Sequence, residues 1–530
     1  LSYSLQSTSG NLVAQNLAKP SVARFRGTCY AWSAVWTNVM QQVYENYTID
    51  TNTTPPTATL DPLTNNIIMG LHVLILNATS VRSQVPVTVY DYALHSTNML
   101  VKDIMNVVQT FLLDGQNFTL QGGINLSGSI NNWTMANAPG LINFTNTGSL
   151  SVPNEAHFGD DRPTPYLNFV NTGTISAGGL NIASSYLEDD GTLSAGGPLF
   201  VQADTAKLQN GSASSGGDAH FSCGNLKFDN FQMTVGGTLD LAASNSLSDG
   251  GAGSGNALTV QSGFNLYTKP LYGDLLGTAF RSVAPDFFEV DHVWAGQDRG
   301  LSSTGYTNNV ALGQLALSSS GTSPYFFFSG AGASNGIYVD LLDLSSLGSN
   351  YLNDISIDDN LVIYYAAAKL GFTLPPNAEG VPQEPEEYLN GQFGGHLRWV
   401  RSYAGPNSSV PVLINGQTVY VNKALRFSKI IDSDGDGIPN YYDLTPFGEL
   451  TLSAAITLTN QPLQKAMAIS WQAAPDTVYQ VEYSTSIFST NWLPLLSYTN
   501  NAPTNEAVTV VDTNALSGGS QRFYRVRYNP

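Results

Sequence analysis

Gly173-Thr-Ile-Ser-Ala-Gly-Gly179 returns eighteen residues later as Gly191-Thr-Leu-Ser-Ala-Gly-Gly197, with six of seven positions identical. Upstream, Phe144-Thr-Asn-Thr-Gly-Ser-Leu-Ser-Val152 matches Phe169-Val-Asn-Thr-Gly-Thr-Ile-Ser-Ala177 at an offset of 25. Looser echoes open on glycine at Gly123-Ile-Asn-Leu126, Gly224-Asn-Leu-Lys-Phe228, Gly237-Thr-Leu-Asp-Leu241 and Gly263-Phe-Asn-Leu266. A near-constant period with variable insertions predicts a solenoid in which each period is one coil. Ile175 then lies over Leu193 and Ala177 over Ala195, about 4.8 Å apart and pointing inward. Thr174, Ser176, Thr192 and Ser194 point out. Glycine at each corner is expected to supply a turn with φ > 0, and the stretch from Pro153 to Pro165 to loop out of the stack.

The Asn-Thr-Gly-x-Ile/Leu-Ser rungs resemble the right-handed parallel β-helix of filamentous-haemagglutinin-like secreted adhesins. The resemblance covers about 150 to 200 residues and implies a fold, with no catalytic residues attached. The fold class expected is therefore all-β: a right-handed parallel β-helix, a further β-rich unit and a C-terminal β-sandwich. The boundaries expected are an N-terminal cap at 1–69, the β-helix at 70–271 and a second β-rich unit at 272–430, either a continuation of the solenoid or a sandwich. A calcium-binding linker at 431–447 and a small sandwich at 448–530 follow.

Outside the repeats the patterns are less decisive. Val22, Phe25, Cys29, Trp32, Trp36, Val39 and Val43 follow helical spacing, yet Tyr30, Trp32, Ala34 and Trp36 alternate as in a strand. Leu100, Ile104, Val107, Val108 and Phe111 also suit a helix, although neighbouring strands favour more rungs. Residues 52–62 and the Pro- and Glu-rich 374–388 read as loops. Tyr325-Phe-Phe-Phe328, Gly336 to Leu342 and Leu361 to Tyr365 read as longer strands of the second unit.

In the last 80 residues, Ala466 to Trp471, Val478 to Tyr483 and Arg522 to Arg527 are strand candidates at sandwich spacing. With Trp471 on an early strand and Phe523-Tyr-Arg-Val on the last, this segment resembles a fibronectin type III domain, which implies spacing or binding.

The sharpest chemical motif is Asp432-Ser-Asp434-Gly-Asp436-Gly437-Ile438-Pro-Asn440-Tyr-Tyr-Asp443. Calcium takes six to eight hard oxygens, and alternate aspartates on a tight loop with glycine at position 6 converge that many from a dozen residues. The string resembles a thrombospondin type 3 repeat. That resemblance implies Ca2+ held by Asp432, Asp434, Asp436, the Ile438 carbonyl and Asp443. Such repeats come in tandem and this chain has one, and Asp at position 12 replaces a bidentate Glu. Affinity in the range of roughly 10⁻⁴ to 10⁻³ M is expected, with the filled loop stiffening the joint before the C-terminal module.

Composition narrows the partners. Of 530 residues 21 are basic and 40 acidic, a net charge of −19, which disfavours nucleic acid and anionic lipid. The longest apolar run, Ile67 to Leu76, is too short to span a membrane. Leu1 opens the chain without a leader, so a processed, extracellular or cell-surface product is expected. Cys29 and Cys223 match no zinc or redox spacing and read as small buried residues. The six histidines show no zinc-protease spacing, and no serine-hydrolase elbow or phosphate loop occurs. Asp286-Phe-Phe-Glu289-Val-Asp291-His292, with Asp298 and Arg299 nearby, could pair an acid with a base on a sugar, but alternating strand residues facing water are the preferred reading. Glu188-Asp-Asp190 and Asp160-Asp161-Arg162 read as corners.

The function expected is a structural protein without an active site that self-assembles into a fibre or scaffold, or mediates adhesion. Its partners are copies of itself or glycans of a cell surface, with Leu1-Ser-Tyr3-Ser-Leu5 offered as a strand to a neighbour. A carbohydrate-binding or polysaccharide-degrading β-helix, or a tailspike-like receptor binder, are the rivals.

Overall fold

The computed structural model describes the strands between residues 2 and 99 by backbone pairing alone. From residue 100 it describes the chain except for 103, 128–131, 134–140, 160–166, 252, 287, 415–416, 435–436, 448–452, 459–464, 474–476, 489–490, 501–505, 516–520, 530 and the side chains of a few strand positions. The chain divides into one unit of residues 1–373 and 389–408 and another of 374–388 and 409–530.

The first unit is a parallel β-solenoid. Thr174, Ile175, Ser176 and Ala177 pair in register with Thr192, Leu193, Ser194 and Ala195, and these with Ser212 to Ser215 and then Gln232 to Val235. This stack is one of three faces. A second runs through Leu180–Ile182, Leu199–Ala203, Ala219–Cys223, Leu239–Ala243 and Gly263–Leu266. The third runs through Asn143–Asn146, Asn168–Asn171, Tyr186–Asp189, Thr205–Gln209 and Asn225–Asp229. Alternation sends every second residue inward, as in the buried–exposed pattern of Leu199–Gln209.

The core is a set of vertical ladders. Phe118, Phe144 and Phe169 stack at centroid distances of 5.8 and 5.0 Å, with Trp133 and Phe158 packed against Phe144. The column continues as Leu187, Ala206, Leu226 and Leu247, so like side chains cover like and little apolar surface meets water.

Parallel pairing continues without a break past residue 272. Asn256–Val260 pairs with Thr278–Ser282, Glu289–Trp294 with Tyr325–Gly330, Asn335–Leu344 with Leu361–Leu370, and Ile363–Tyr365 with Leu397–Trp399. The second stretch of strands is thus solenoid as far as Trp399.

Several open local readings are decided, and some expectations are corrected. Residues 25–36 form one strand, antiparallel to Leu71–Ser83 on one side and to Ser2–Gln6 and Asn11–Ala14 on the other. Aromatic and β-branched alternation outweighs the helical spacing there. Residues 87–101 and 104–114 are likewise strands. Thr57–Leu60, expected as loop, pairs with Tyr47–Asp50, and 374–388 contains the start of a helical turn, Pro385–Leu389. Ser149–Phe158 stays in strand through Pro153.

The glycines of the repeated strings play a different role from the one expected. Gly148, Gly173, Gly191 and Gly211 are absent from the left-handed region. A Cβ on Gly173 would lie 2.1 Å from the Gly148 carbonyl oxygen, and one on Gly191 2.1 Å from that of Gly173. Close approach of successive coils excludes a side chain there. Left-handed turns are made by Asn210 and Asn230, each at φ 52°, and elsewhere by glycines, among them Gly159, Gly251, Gly255 and Gly273; the Asn230 amide donates to Asn210 Oδ1 at 3.2 Å.

The second unit holds a hairpin, Ser409–Ile414 with Gln417–Asn422, followed by the acidic loop and a β-sandwich. One sheet of the sandwich is Ser453–Leu458, Lys465–Ala473 and Glu506–Asp512; the other is Leu493–Asn500, Thr477–Ser484 and Phe523–Asn529. Ile469, Trp471 and Val508 of the first sheet share one core with Tyr479 and Val481 of the second.

Candidate calcium loop and surface grooves

The acidic loop is framed by hydrogen bonds that do not use its own carboxylates. Asn440 is fully buried; its amide donates to the Leu425 carbonyl at 2.7 Å and to Ser433 Oγ at 2.8 Å, and its Oδ1 accepts from the Ser433 N–H at 2.9 Å. Arg426 Nη1 donates to the Asn440 carbonyl at 2.6 Å. Ser428, also buried, holds the preceding turn, bonding Glu387 through its hydroxyl and accepting from the Tyr441 N–H at 2.9 Å.

Within this frame Asp432 Oδ2 accepts from the Gly437 N–H at 2.8 Å. Gly437 sits at φ 93°, the left-handed turn that position 6 of a calcium loop requires. Asp443 is 4% exposed and bonds the Thr445 N–H at 2.9 Å, and Oδ2 of both Asp434 and Asp443 is shielded from solvent. The donor set is hard oxygen throughout, which suits Ca2+. Asp436 lies outside the described residues. Among the described ones, no three acidic, histidine or cysteine side chains converge on one point.

The acids around residue 290 do not form a pair aimed at one space. Alternation puts Glu289 and Asp291 on the exposed side and Val290 and His292 in the core. His292 lies between Phe264 and Phe328, with centroids 4.2 and 4.6 Å away. Its Nδ1 accepts from the Phe264 N–H at 3.1 Å. Complete burial holds its pKa down to about 3, so the ring is neutral and unfit to exchange protons near pH 7. Asp286 instead caps the next coil, accepting from the N–H groups of Thr322 and Ser323 at 2.9 Å each.

Asp298 accepts from the Tyr364 hydroxyl at 2.7 Å, and Arg299 donates to the Thr304 and Thr307 carbonyls. Asp274 and Asp340 clip segments of coil in the same way. Asp274 takes three backbone N–H groups, from Asn308, Asn309 and Ala311; Asp340 takes the Asn407 N–H and the Ser408 hydroxyl.

The corner Glu188-Asp-Asp190 is likewise split. Glu188 faces out to Tyr186 and Gln209, whereas Asp189 is fully buried and accepts from Asn171 at 2.6 Å. Asp160, Asp161 and Arg162 lie outside the described residues. Cys223 is a free, buried thiol whose pKa burial pushes up to about 12; Cys29 lies on the strand Phe25–Trp36, and its side chain is not among those described.

Two grooves open on the solenoid surface. One, of about 420 Å³, crosses three successive coils, lined by Gln202, Asp204, Ser222, Gly224 and Ser244 over Ala203, Cys223 and Ala243, and reaches Thr268 of a fourth. The other, of about 320 Å³, includes Gln232, Thr278, Arg281, Gln314 and Asn407. Neither was singled out in the sequence. Their polar lining residues come from different coils, and only the register brings them together.

Among the described residues no helix is long and apolar enough to cross a membrane. Comparison with protein-family models, with curated proteins and with solved structures finds no match to this chain.

Proposed function

We propose that this is a secreted or cell-surface structural protein that self-assembles or mediates adhesion through a β-solenoid, with a calcium-stiffened joint before a fibronectin-like C-terminal module. The observation that carries the reading is the open edge at the beginning of the ladder. Ser2–Gln6 and Asn11–Ala14 lie end to end against Phe25–Trp36, each paired among the described residues on one side only. A strand edge with free N–H and C=O groups is a template for a further strand, and a second copy of the chain is the simplest donor. Ser2–Gln6 is already engaged within its own chain, so it acts as the acceptor edge and need not be exchanged.

In the joint, Ca2+ would be held by Asp432, Asp434, Asp436, the Ile438 carbonyl and Asp443, and would offset the mutual repulsion of the carboxylates. Removing residues 1–9 tests the assembly reading. Electron microscopy and sedimentation of the full chain should show fibres or oligomers that the shortened chain does not form, and assembly unchanged by the deletion refutes it. Proteolysis of residues 428–447 should be faster with chelator than with calcium. Equal rates refute the joint.

A further inference from the structure

The groove on coils 199–268 has a definable cause. Gly224 stands over Asp204, and a Cβ on it would lie 2.6 Å from the Asp204 carbonyl oxygen. The middle coil therefore contributes no side chain at its corner, while the coils on either side carry Asp204 and Ser244. Beneath them, Ala203, Cys223 and Ala243 stack in register, all small, and the register shift after Cys223 widens the corner further. The result is a notch of about 420 Å³, within the ~300–1,000 Å³ of small-molecule sites. Its length across three coils is about 10 Å at the usual strand spacing.

The lining offers hydrogen-bonding groups of both senses, from Gln202, Asp204, Ser222, Ser244 and Thr268, and no cation. Two large exposed rings lie close along the chain to its lining residues. Phe200, 43% exposed, is two residues before Gln202 on the same outward side of its strand. Tyr267, 59% exposed, precedes Thr268, and its hydroxyl pKa is raised by burial and then by Asp240, which places the ring near that carboxylate. Asp240 itself accepts from Asn265 at 2.8 Å and lies 3.7 Å from His220, the residue in register with Phe200.

Each feature restricts the ligand. Asp204 and Asp240 on a chain of net charge −19 repel anions. The polar lining penalises an apolar ligand, whose burial would leave these groups unpaired. An uncharged molecule with many hydroxyls and apolar C–H faces satisfies both the lining and the rings.

We propose that this notch binds a neutral oligosaccharide, with about two sugar residues across the three coils, their hydroxyls on Gln202, Asp204 and Ser222 and their C–H faces against Phe200 and Tyr267. The site stands independently of the assembly reading, because none of its residues belongs to the N-terminal strands or the acidic loop.

The test is calorimetric or NMR titration of the full chain with hexasaccharides of β-1,4-glucose, β-1,3-glucose and β-1,4-mannose, with trigalacturonate as the anionic control. At least one neutral hexasaccharide should bind and trigalacturonate should not. Phe200→Ala and Gln202→Ala should each weaken binding about 3- to 10-fold, while Arg281→Ala, in the other groove, should leave it unchanged. Phe200 and Gln202 are exposed, and an unaltered melting temperature confirms that their variants are folded. No binding of any neutral hexasaccharide at about 10 mM, tighter binding of trigalacturonate, or affinity untouched by Phe200→Ala and Gln202→Ala would each overturn the proposal.

Discussion

Asn171 donates from its side-chain amide to Asp189 Oδ1 at 2.6 Å and accepts at its own Oδ1 from Asn146 at 2.7 Å, so three buried polar residues form one ladder through successive coils. The ladder ends at Asp189 because the next rung in register is Leu208. One Asp189 oxygen is satisfied by Asn171 and by the Gly191 N–H at 3.3 Å; Oδ2 is buried with no hydrogen-bond partner among the described residues. Burial raises this carboxyl to about 7 from 3.8.

The sign of the resulting pH dependence follows from which state holds the proton. Between pH 3.8 and 7 the unfolded chain releases it while the folded chain keeps it, so stability falls as pH rises, by at most about 1.4 kcal/mol per pH unit. Asp189→Asn keeps the ladder's shape and removes the titration. Thermal melts of the variant should therefore lose less stability between pH 4 and 7 than those of the parent. Parallel curves would show that Asp189 is ionised in the fold.

His292 acts in the opposite direction. Its folded pKa of about 3 lies below the ordinary 6.5, so the unfolded chain takes up a proton first. Stability is complete above pH 6.5 and falls as pH drops toward 3. In the parent the two slopes partly cancel. His292→Phe removes the acid loss, at the cost of leaving the Phe264 N–H without its acceptor, about 1–3 kcal/mol. The variant should be less stable at pH 7 and, with only the Asp189 slope left, should gain stability relative to the parent as the pH falls from 6.5 toward 4. A stability difference between variant and parent that stays constant over this range would place the titration elsewhere.

The glycine column makes a steric prediction. Gly191→Ala puts a Cβ 2.1 Å from the Gly173 carbonyl oxygen, which only separation of the coils can relieve. A loss of about 3 kcal/mol or more is expected, comparable to severe core substitutions. Asn210→Gly, at a left-handed position, should change stability by less than about 1 kcal/mol. Chemical denaturation of both variants measures the contrast, and equal losses would contradict the close-approach explanation.

What was legible in the sequence was whatever repeats. Ile175 over Leu193 could be placed because identical strings at short offset fix the register by themselves. The reason for the glycines could not be placed, since a glycine required by close approach and one required by a left-handed turn look alike in a string. Asp189 hides within an acidic triplet, and only the coil register shows that alternation turns it inward beneath Asn171. His292 and its acidic neighbours were legible as alternating strand residues, and the pleat does send adjacent residues to opposite sides. The notch at Gly224 had no local signal, because Gln202, Ser222 and Ser244 come from three coils.

The acidic loop can be dissected through Asn440, whose amide ties Leu425, Ser433 and the loop backbone together. Asn440→Ala leaves the Ser433 N–H and the Leu425 carbonyl without their buried partner, a loss of about 1–3 kcal/mol that does not involve any metal. Cleavage of residues 428–447 should therefore accelerate in this variant with or without calcium. Asp432→Asn removes a charge but retains an oxygen able to accept from the Gly437 N–H. Its apo loop should be cleaved no faster than the parent's, and faster only when calcium is present, because the parent alone gains full protection from the ion. If Asp432→Asn and the parent are protected equally by calcium, the carboxylate is not a ligand, and the loop is held by the Asn440 frame alone.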